Sequence, residues 1–499
     1  MNTYYVAGRQ RFAVSWAMAA AFLFGCCTIG VFSCRDTTMG ELLICLLFCL
    51  VVYLTNPQRM VWFALFLAFA SLPESLHIGK DFGVVTIYLY QVAMVLAAIY
   101  LVMPVSRVRW SSYILPGMFL ATMACYAIVG YALGNPTDRA LREFLILFEL
   151  VTGFVLAMLI IDAGYVKETM RAVAVTLWFS AGMVVAASFH LVQLAGRTEQ
   201  LEKGLGAAEA TRLITNSQNP AIAVLTALVA AQIVGRVRPA TYLMLAPPAL
   251  VITLLAFARH TLLLMGVAGI VALLAALSWQ ALRRTATASV MGAAIFAVTI
   301  PGSLLLLKHS SAGAWLGDQF TAFDNRVLKN VSGSRFAVDP SILSRQAENA
   351  KLSRAIGDAP VFGHGLGYPY QLPFGEPDSF SATLGTTYAH NFYLWWLAKA
   401  GVVGMISFSL FALMPILRGL FSASAPAKTA AALSVALLVN CTVDPMPEDP
   451  ADALVLGLAL GAALQFAVVS RRARREDTTM QHAIPSGVTG APMAAETAA

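Results

Sequence analysis

Apolar runs of membrane-spanning length recur along nearly the whole of this 499-residue chain. About 17 to 25 such residues cross a bilayer core as a helix. A helix is one of only two structures that satisfy all their own backbone polar groups there. The runs lie near 13–33, 40–55, 60–73, 84–104, 112–134, 142–161, 171–194, 218–235, 240–258, 261–279, 286–307, 391–415, 428–443 and 453–470. They predict an all-α polytopic membrane protein of about 12–14 transmembrane helices, because 60–73 and 428–443 are short for a crossing. Charged residues make up 12% of the chain, half the roughly 25% of soluble domains. The net charge of +7 is scattered through short loops, so no nucleic-acid partner is expected.

The first run follows Arg9 and Arg11 and is too long for a signal-peptide core, so it is expected to stay as an uncleaved span. The seven cysteines are odd in number, lie mostly inside apolar runs and form no C-x-x-C pair. They read as small membrane-core residues. With a cytoplasmic N-terminus, one set of connections carries seventeen Lys and Arg and the other eight. Positive charge favours the cytoplasmic side, so N- and C-termini are expected inside. Four parts follow: a transmembrane bundle over 1–307, an extracytoplasmic loop over 308–389, C-terminal helices over 390–470, and a disordered cytoplasmic tail over 471–499.

A loop of that length is usually functional or separately structured. GDQFTAFDNRVLKN predicts a first helix capped by Asp318, with Phe320, Phe323 and Val327 on one face. DPSILSRQAENAKLSRAIGDAP predicts a second, with Asp339 as cap, Pro340 in its first turn and Gly357 just past its end. On a helical wheel Arg345 falls beside Ile342, Asn349, Leu352 and Ile356, while Arg354 lies opposite with Leu343, Ala347 and Ala350. An arginine in an apolar stripe either snorkels or points into a cavity that wants positive charge. In VFGHGLGYPY, Gly363, Gly365 and Gly367 either make a sharp turn or converge their amides on an anion. His390 then opens an apolar helix, as an interfacial ring or as a base that titrates near neutrality. Within the spans, Glu149, His190 and Lys399 either line a path or lock helices together, and Glu149 is a candidate partner for Lys399.

Taken in order, Arg345, DAPVFGHGLG (358–367), HNFYL (390–394) and GVVG (401–404) resemble the O-antigen ligase and O-antigen polymerase superfamily of bacterial membrane glycosyltransferases. RLITNSQNPA (212–221) and FARHTLLL (257–264) are similar to two further family segments, with Ala258 where Ser is common. Lys399 departs from the pattern, since members often carry an acidic residue there. The resemblance covers mainly residues 212–404 and does not separate lipopolysaccharide ligases, polysaccharide repeat-unit polymerases and protein oligosaccharyltransferases.

The resemblance implies transfer of a glycan from undecaprenyl diphosphate to an acceptor hydroxyl at the periplasmic face of the bacterial inner membrane. The acceptor would be a growing glycan, lipid A core or a protein, and the lipid bilayer is the other partner. Arginine suits the leaving diphosphate because its fork matches phosphate oxygens and stays protonated. Arg345 is the catalytic candidate, with Arg259 and Arg212 binding the diphosphate and Gly363 and Gly365 beside it. His390 would act as base or orient the acceptor, and Asn391 would orient His390 or cap its helix. No cofactor and no metal are expected: the outer loops lack D-x-D and any His or Cys cluster of ligand spacing. The EDPAD run at 448–452 reads as an acidic outer loop or, alternatively, a Mg²⁺ site. The competing class is a transporter or flippase for a lipid-linked sugar or polyanion. Such folds pair broken helices across two halves, whereas Pro247-Pro248 has no evident counterpart here.

Overall fold

A computed structural model describes residues 25, 30, 37–76, 79–82, 85–102, 108, 110–201, 210–235, 237–287, 310–324, 340–376, 380 and 382–483. In chain order the elements are α1 (Thr37–Thr55), α2 (Pro57–Phe69), β1 (Gly79–Phe82), β2 (Val85–Tyr88), α3 (Leu89–Tyr100), α4 (Ile114–Ala132), α5 (Thr137–Asp162) and α6 (Val166–Ser188). Then come β3 (Arg197–Leu201), β4 (Ala210–Ile214), α7 (Gln218–Val234), α8 (Pro239–Ala256), α9 (His260–Ala276), α10 (Ser311–Phe323) and α11 (Pro340–Asp358). Three helices close the chain: α12 (Phe392–Leu420), α13 (Ala425–Asn440) and α14 (Pro450–Ala483). The protein is an all-α polytopic membrane protein, and the described strands form only two antiparallel hairpins, β1–β2 and β3–β4.

Among the described residues, six helices are long and apolar enough to cross a membrane: Trp110–Ala132, α5, α6, α8, α12 and Pro450–Glu476. Five shorter apolar helices accompany them, among them α7, α9 and α13. The runs expected at 13–33 and 286–307 fall almost wholly outside the described residues. The run expected at 84–104 begins as strand β2, and its helix starts only at Leu89. Val85, Thr86, Ile87 and Tyr88 are β-branched or aromatic, and hydropathy alone does not separate such a strand from a helix. The expected tail is corrected too, because α14 continues through the basic residues to Ala483. Arg472 Nη1 reaches Asp162 Oδ1 at the end of α5 (3.2 Å) and ties that extension to the bundle.

Helices α5 and α14 form the centre. A Cβ added at Gly153, Gly457 or Gly461 would stand 2.1–2.5 Å from a backbone oxygen of the facing helix. Small residues at such spacing let membrane helices touch backbone to backbone.

Helix α12 is broken at Gly401, whose φ of 59° and ψ of −166° lie outside the helical region. A break inside a membrane helix requires new partners for the freed backbone groups, and the glycine loop supplies them. Val402 and Val403 donate to the carbonyls of Pro360 (3.0 Å) and Val361 (3.2 Å), while Ala398 and Lys399 accept from the amides of His364 (3.1 Å) and Gly365 (2.8 Å). Gly363 and Gly365 have positive φ, and a Cβ on either would come within 2.4 Å of backbone atoms. DAPVFGHGLG and GVVG are therefore two halves of one splice.

A buried ion pair locks it. Lys399 Nζ, with no accessible surface, donates to Glu143 Oε1 on α5 (2.7 Å) and to the Tyr368 carbonyl (2.8 Å). Glu143 Oε2 accepts the amide of Gly367 (2.7 Å). The expected partner Glu149 lies elsewhere, accepting from Tyr90 Oη (2.9 Å) and Gln91 Nε2 (2.6 Å). Removing one member of a buried pair costs roughly 3–5 kcal/mol, because the other charge is left stranded. Lys399→Met is expected to lose stability on that scale, and the double variant Lys399→Met/Glu143→Gln to recover most of it while keeping an acceptor for Gly367. Thermal unfolding of the three proteins in matched nanodiscs checks this.

Candidate active site

Helix α11 lies across the start of α12. Its inward face carries Leu352 and Ala355, both buried, while Leu343 and Arg354 are exposed. The wheel thus separated the two arginines correctly, and Arg345 is half-buried. The boundary needs correction: the helix includes Gly357 and ends at Asp358. In α10 the cap is Ser310, whose side chain accepts from the amide of Gly313, and Asp318 falls in the body of the helix. Val327 lies outside the described residues.

Glu348, one helical turn beyond Arg345, reaches His390. Glu348 Oε1 accepts the His390 backbone amide (2.6 Å) and Oε2 lies 3.0 Å from Nδ1. A carboxylate only accepts, so it fixes the proton on Nδ1 and leaves Nε2 with a free lone pair. The Glu348 side chain is 11% exposed and that of His390 38%, so the carboxylate is sheltered while the ring reaches water. The Tyr388 ring stands edge-on to His390 at 5.4 Å. Asn391 takes the capping role, its Oδ1 accepting from the amides of Tyr393 (3.1 Å) and Leu394 (3.3 Å). Glu348 does the orienting.

The remaining candidates gather around His260, the first residue of α9. Arg345 and Arg212 both lie close enough to act on it electrostatically, and Asp444 Oδ2 stands 3.9 Å from its Nε2. Arg212, on β4, is held by donation from Nε to the carbonyl of Ala256 at the end of α8 (3.0 Å). Arg259 is exposed and directly precedes His260, beyond a turn in which Phe257 is left-handed (φ 47°). Arg212, Arg345 and the Arg259-His260 step therefore share one end of the bundle, and α11 links them to His390. Gly363 and Gly365 stand apart. Their amides donate to Ala359 and Lys399 carbonyls, so the loop packs the bundle and presents no converging donors to an anion.

The acidic segment corrects a sequence expectation. Residues 443–452 fold back into the site and are not a passive outer loop. Asp452 Oδ2 accepts from Asn219 Nδ2 (2.5 Å), and Glu448 Oε2 accepts the amide of Ala389 (3.1 Å), next to His390. Asp449 is exposed. Burial pushes the Glu448 carboxyl well above the usual carboxylate range, and Tyr388 is raised by burial and then by the carboxylates of Glu448 and Asp444. Sequence reading missed Glu348 and the packing of this segment against Ala389 and Asn219. Glu348 left a signal, since it lies three residues from Arg345 and hence on the same face.

Residues 244–409 match the family model described as O-antigen ligase. The match runs from α8 through α9, the loop helices, the glycine splice and His390 into α12, and leaves out Arg212 and residues 443–452. No curated protein matches the chain.

The raised Glu448 carboxyl has a defined pH consequence. Its folded pKa exceeds its unfolded value, so stability present in acid is lost as pH rises from the ordinary glutamate range, about 4.3, toward the folded value. Glu448→Gln removes that loss. Thermal unfolding of both proteins between about pH 4.5 and 8 is expected to favour the variant increasingly with pH.

Proposed function

We propose that the chain is a membrane glycosyltransferase of the O-antigen ligase type, as the family match over residues 244–409 supports, and that it transfers a glycan from undecaprenyl diphosphate to an acceptor hydroxyl at the outer face of the bacterial inner membrane. The observation that carries this reading is the reach of one helix. Within a single turn α11 presents Arg345 toward the cationic cluster and Glu348 against His390.

The chemistry follows from that arrangement. The acceptor oxygen attacks the anomeric carbon and gives its proton to Nε2 of His390. The bond from that carbon to the phosphate oxygen breaks, and its electron pair leaves on the lipid diphosphate. Glu348 balances the imidazolium, as the carboxylate of a Ser-His-Asp triad does, and keeps the ring in the productive tautomer. Arg345, Arg259 and Arg212 receive the charge that grows on the leaving group, where fixed donors stabilise the transition state most. Lys399 and Glu143 take no part in this chemistry and hold the scaffold. The clustering of these groups at one end of the bundle supports transfer over transport, because a translocation path would mark both ends.

A positioned base contributes about 10²- to 10⁴-fold to rate. His390→Ala and Arg345→Ala, at matched membrane level in a host lacking its own copy, are expected to abolish mature surface glycan while undecaprenyl-diphosphate-linked glycan accumulates at the outer face. Gels of surface glycan and mass spectrometry of the lipid fraction read both. Glu348→Gln is expected to lower transfer, with donor binding unchanged. Donor accumulating only at the inner face would identify a flippase instead, and wild-type behaviour of both alanine variants would remove His390 from the mechanism.

A further inference from the structure

Beside His390, and sharing Tyr388 with its surroundings, lies a cavity of about 40 Å³ that the proposed transfer does not use. Arg139 and Arg142 from the first turns of α5 line it, together with Glu448 and the rings of Phe380, Tyr388 and Trp395. Two of these lining residues also carry a buried side-chain atom without a hydrogen-bond partner among the described residues: Nη1 of Arg139 and Oε1 of Glu448. Such atoms cost free energy unless something meets them.

What would meet them is set by charge. The other acid that lines it, Glu143, is spent on Lys399 and Gly367. Arg139 uses only its Nε, on exposed Asp138 (3.1 Å). Arg142 is influenced by Glu143, Asp449 and Tyr88, with no close ion pair to any of them. Glu448 has one oxygen committed to Ala389 and is held toward its neutral form, in which the other oxygen can donate. The unspent groups are therefore donors, two of them on cations, and they call for a small group that only accepts. The volume leaves room for a few atoms and not for a sugar ring. Phe380, 53% exposed, offers an aromatic face at the margin on which the apolar C–H face of a sugar can rest.

We propose that this cavity is a subsite for the carboxylate of a uronic-acid-type sugar in the glycan brought to His390. Arg139 and Arg142 grip the carboxylate, the free oxygen of Glu448 completes its hydrogen bonds, and the ring lies against Phe380 and Tyr388. The inference rests on the glycosyl-transfer reading and gives that site a substrate class, a glycan with an acidic sugar next to the reacting unit. An acid-free glycan would leave the donors unpaired, which is how a buried polar site rejects an analogue that lacks the matching group.

The test is binding, independent of turnover. The full-length protein in nanodiscs is titrated with glucuronate, with its neutral isostere glucuronamide, and with glucose, followed by saturation-transfer NMR. Glucuronate is expected to bind at least tenfold more tightly than either neutral sugar. Arg139→Gln is expected to erase that preference, and Arg139→Lys to keep part of it, with thermal unfolding of each variant matched to wild type. His390→Ala is expected to keep it in full. No preference in the wild-type protein, or a preference that survives Arg139→Gln, overturns the subsite. Inorganic phosphate displacing glucuronate with equal strength also overturns it, in favour of a general anion site. If the preference stands while the donor accumulates only at the inner face in cells carrying His390→Ala, the acidic-sugar subsite is supported and the transfer reading falls.

Discussion

An ammonium group with no access to water must meet a negative charge, and in this protein that obligation organises everything around the site. Lys399 meets Glu143, Glu143 also takes the amide of Gly367, and the glycine loop is thereby seated in the break of α12. The loop leads directly out of α11, so its seating determines where Glu348 stands. Glu348 in turn sets the tautomer of His390. A stranded buried charge costs a large part of the roughly 5–15 kcal/mol that holds a typical domain folded. The pair is thus a condition for the fold, and only through the fold a condition for the chemistry.

The departure at Lys399 becomes intelligible in this light. Where the family that the sequence resembles is expected to carry an acid, this chain places a cation in α12 and puts the carboxylate on α5. Helix length contributes as well. Helices α7, α9 and α13, with 17, 17 and 16 residues, span about 25 Å at 1.5 Å per residue, against roughly 30 Å of hydrocarbon. The polar residues that begin at Gln218 and His260 and follow Asn440 therefore bound apolar helices shorter than the hydrocarbon core.

Much of this was legible in the sequence, and the parts that were not have physical reasons. Apolar length predicted most of the helices, and helical periodicity put Arg345 on the inward face of α11 and Arg354 on the outward one. Hydropathy could not tell β2 from a helix start, because Val85 to Tyr88 are apolar in either form. The glycines were read as an anion cradle or a turn, and neither reading anticipated that the amides of His364 and Gly365 answer carbonyls 34 residues away, at Ala398 and Lys399. Residues 443–452 read as an acidic outer loop or a Mg²⁺ site because sequence reports charge and not enclosure. Glu348 was within reach, since a polar residue one turn from an inward arginine must itself point inward. What no local pattern carries is its distant partner: the pairing with His390 spans a separation of 42 residues.

The splice at Gly401 is made entirely of main-chain atoms, joining 360–365 to 398–403 through amides and carbonyls. Main-chain hydrogen bonds are indifferent to side-chain identity, provided glycine stays where the backbones approach. Val361 (50%) and Phe362 (66%) are accordingly excused from holding the joint and face outward. The exposed surface over this joint can therefore change residue by residue while the joint beneath it keeps the same geometry.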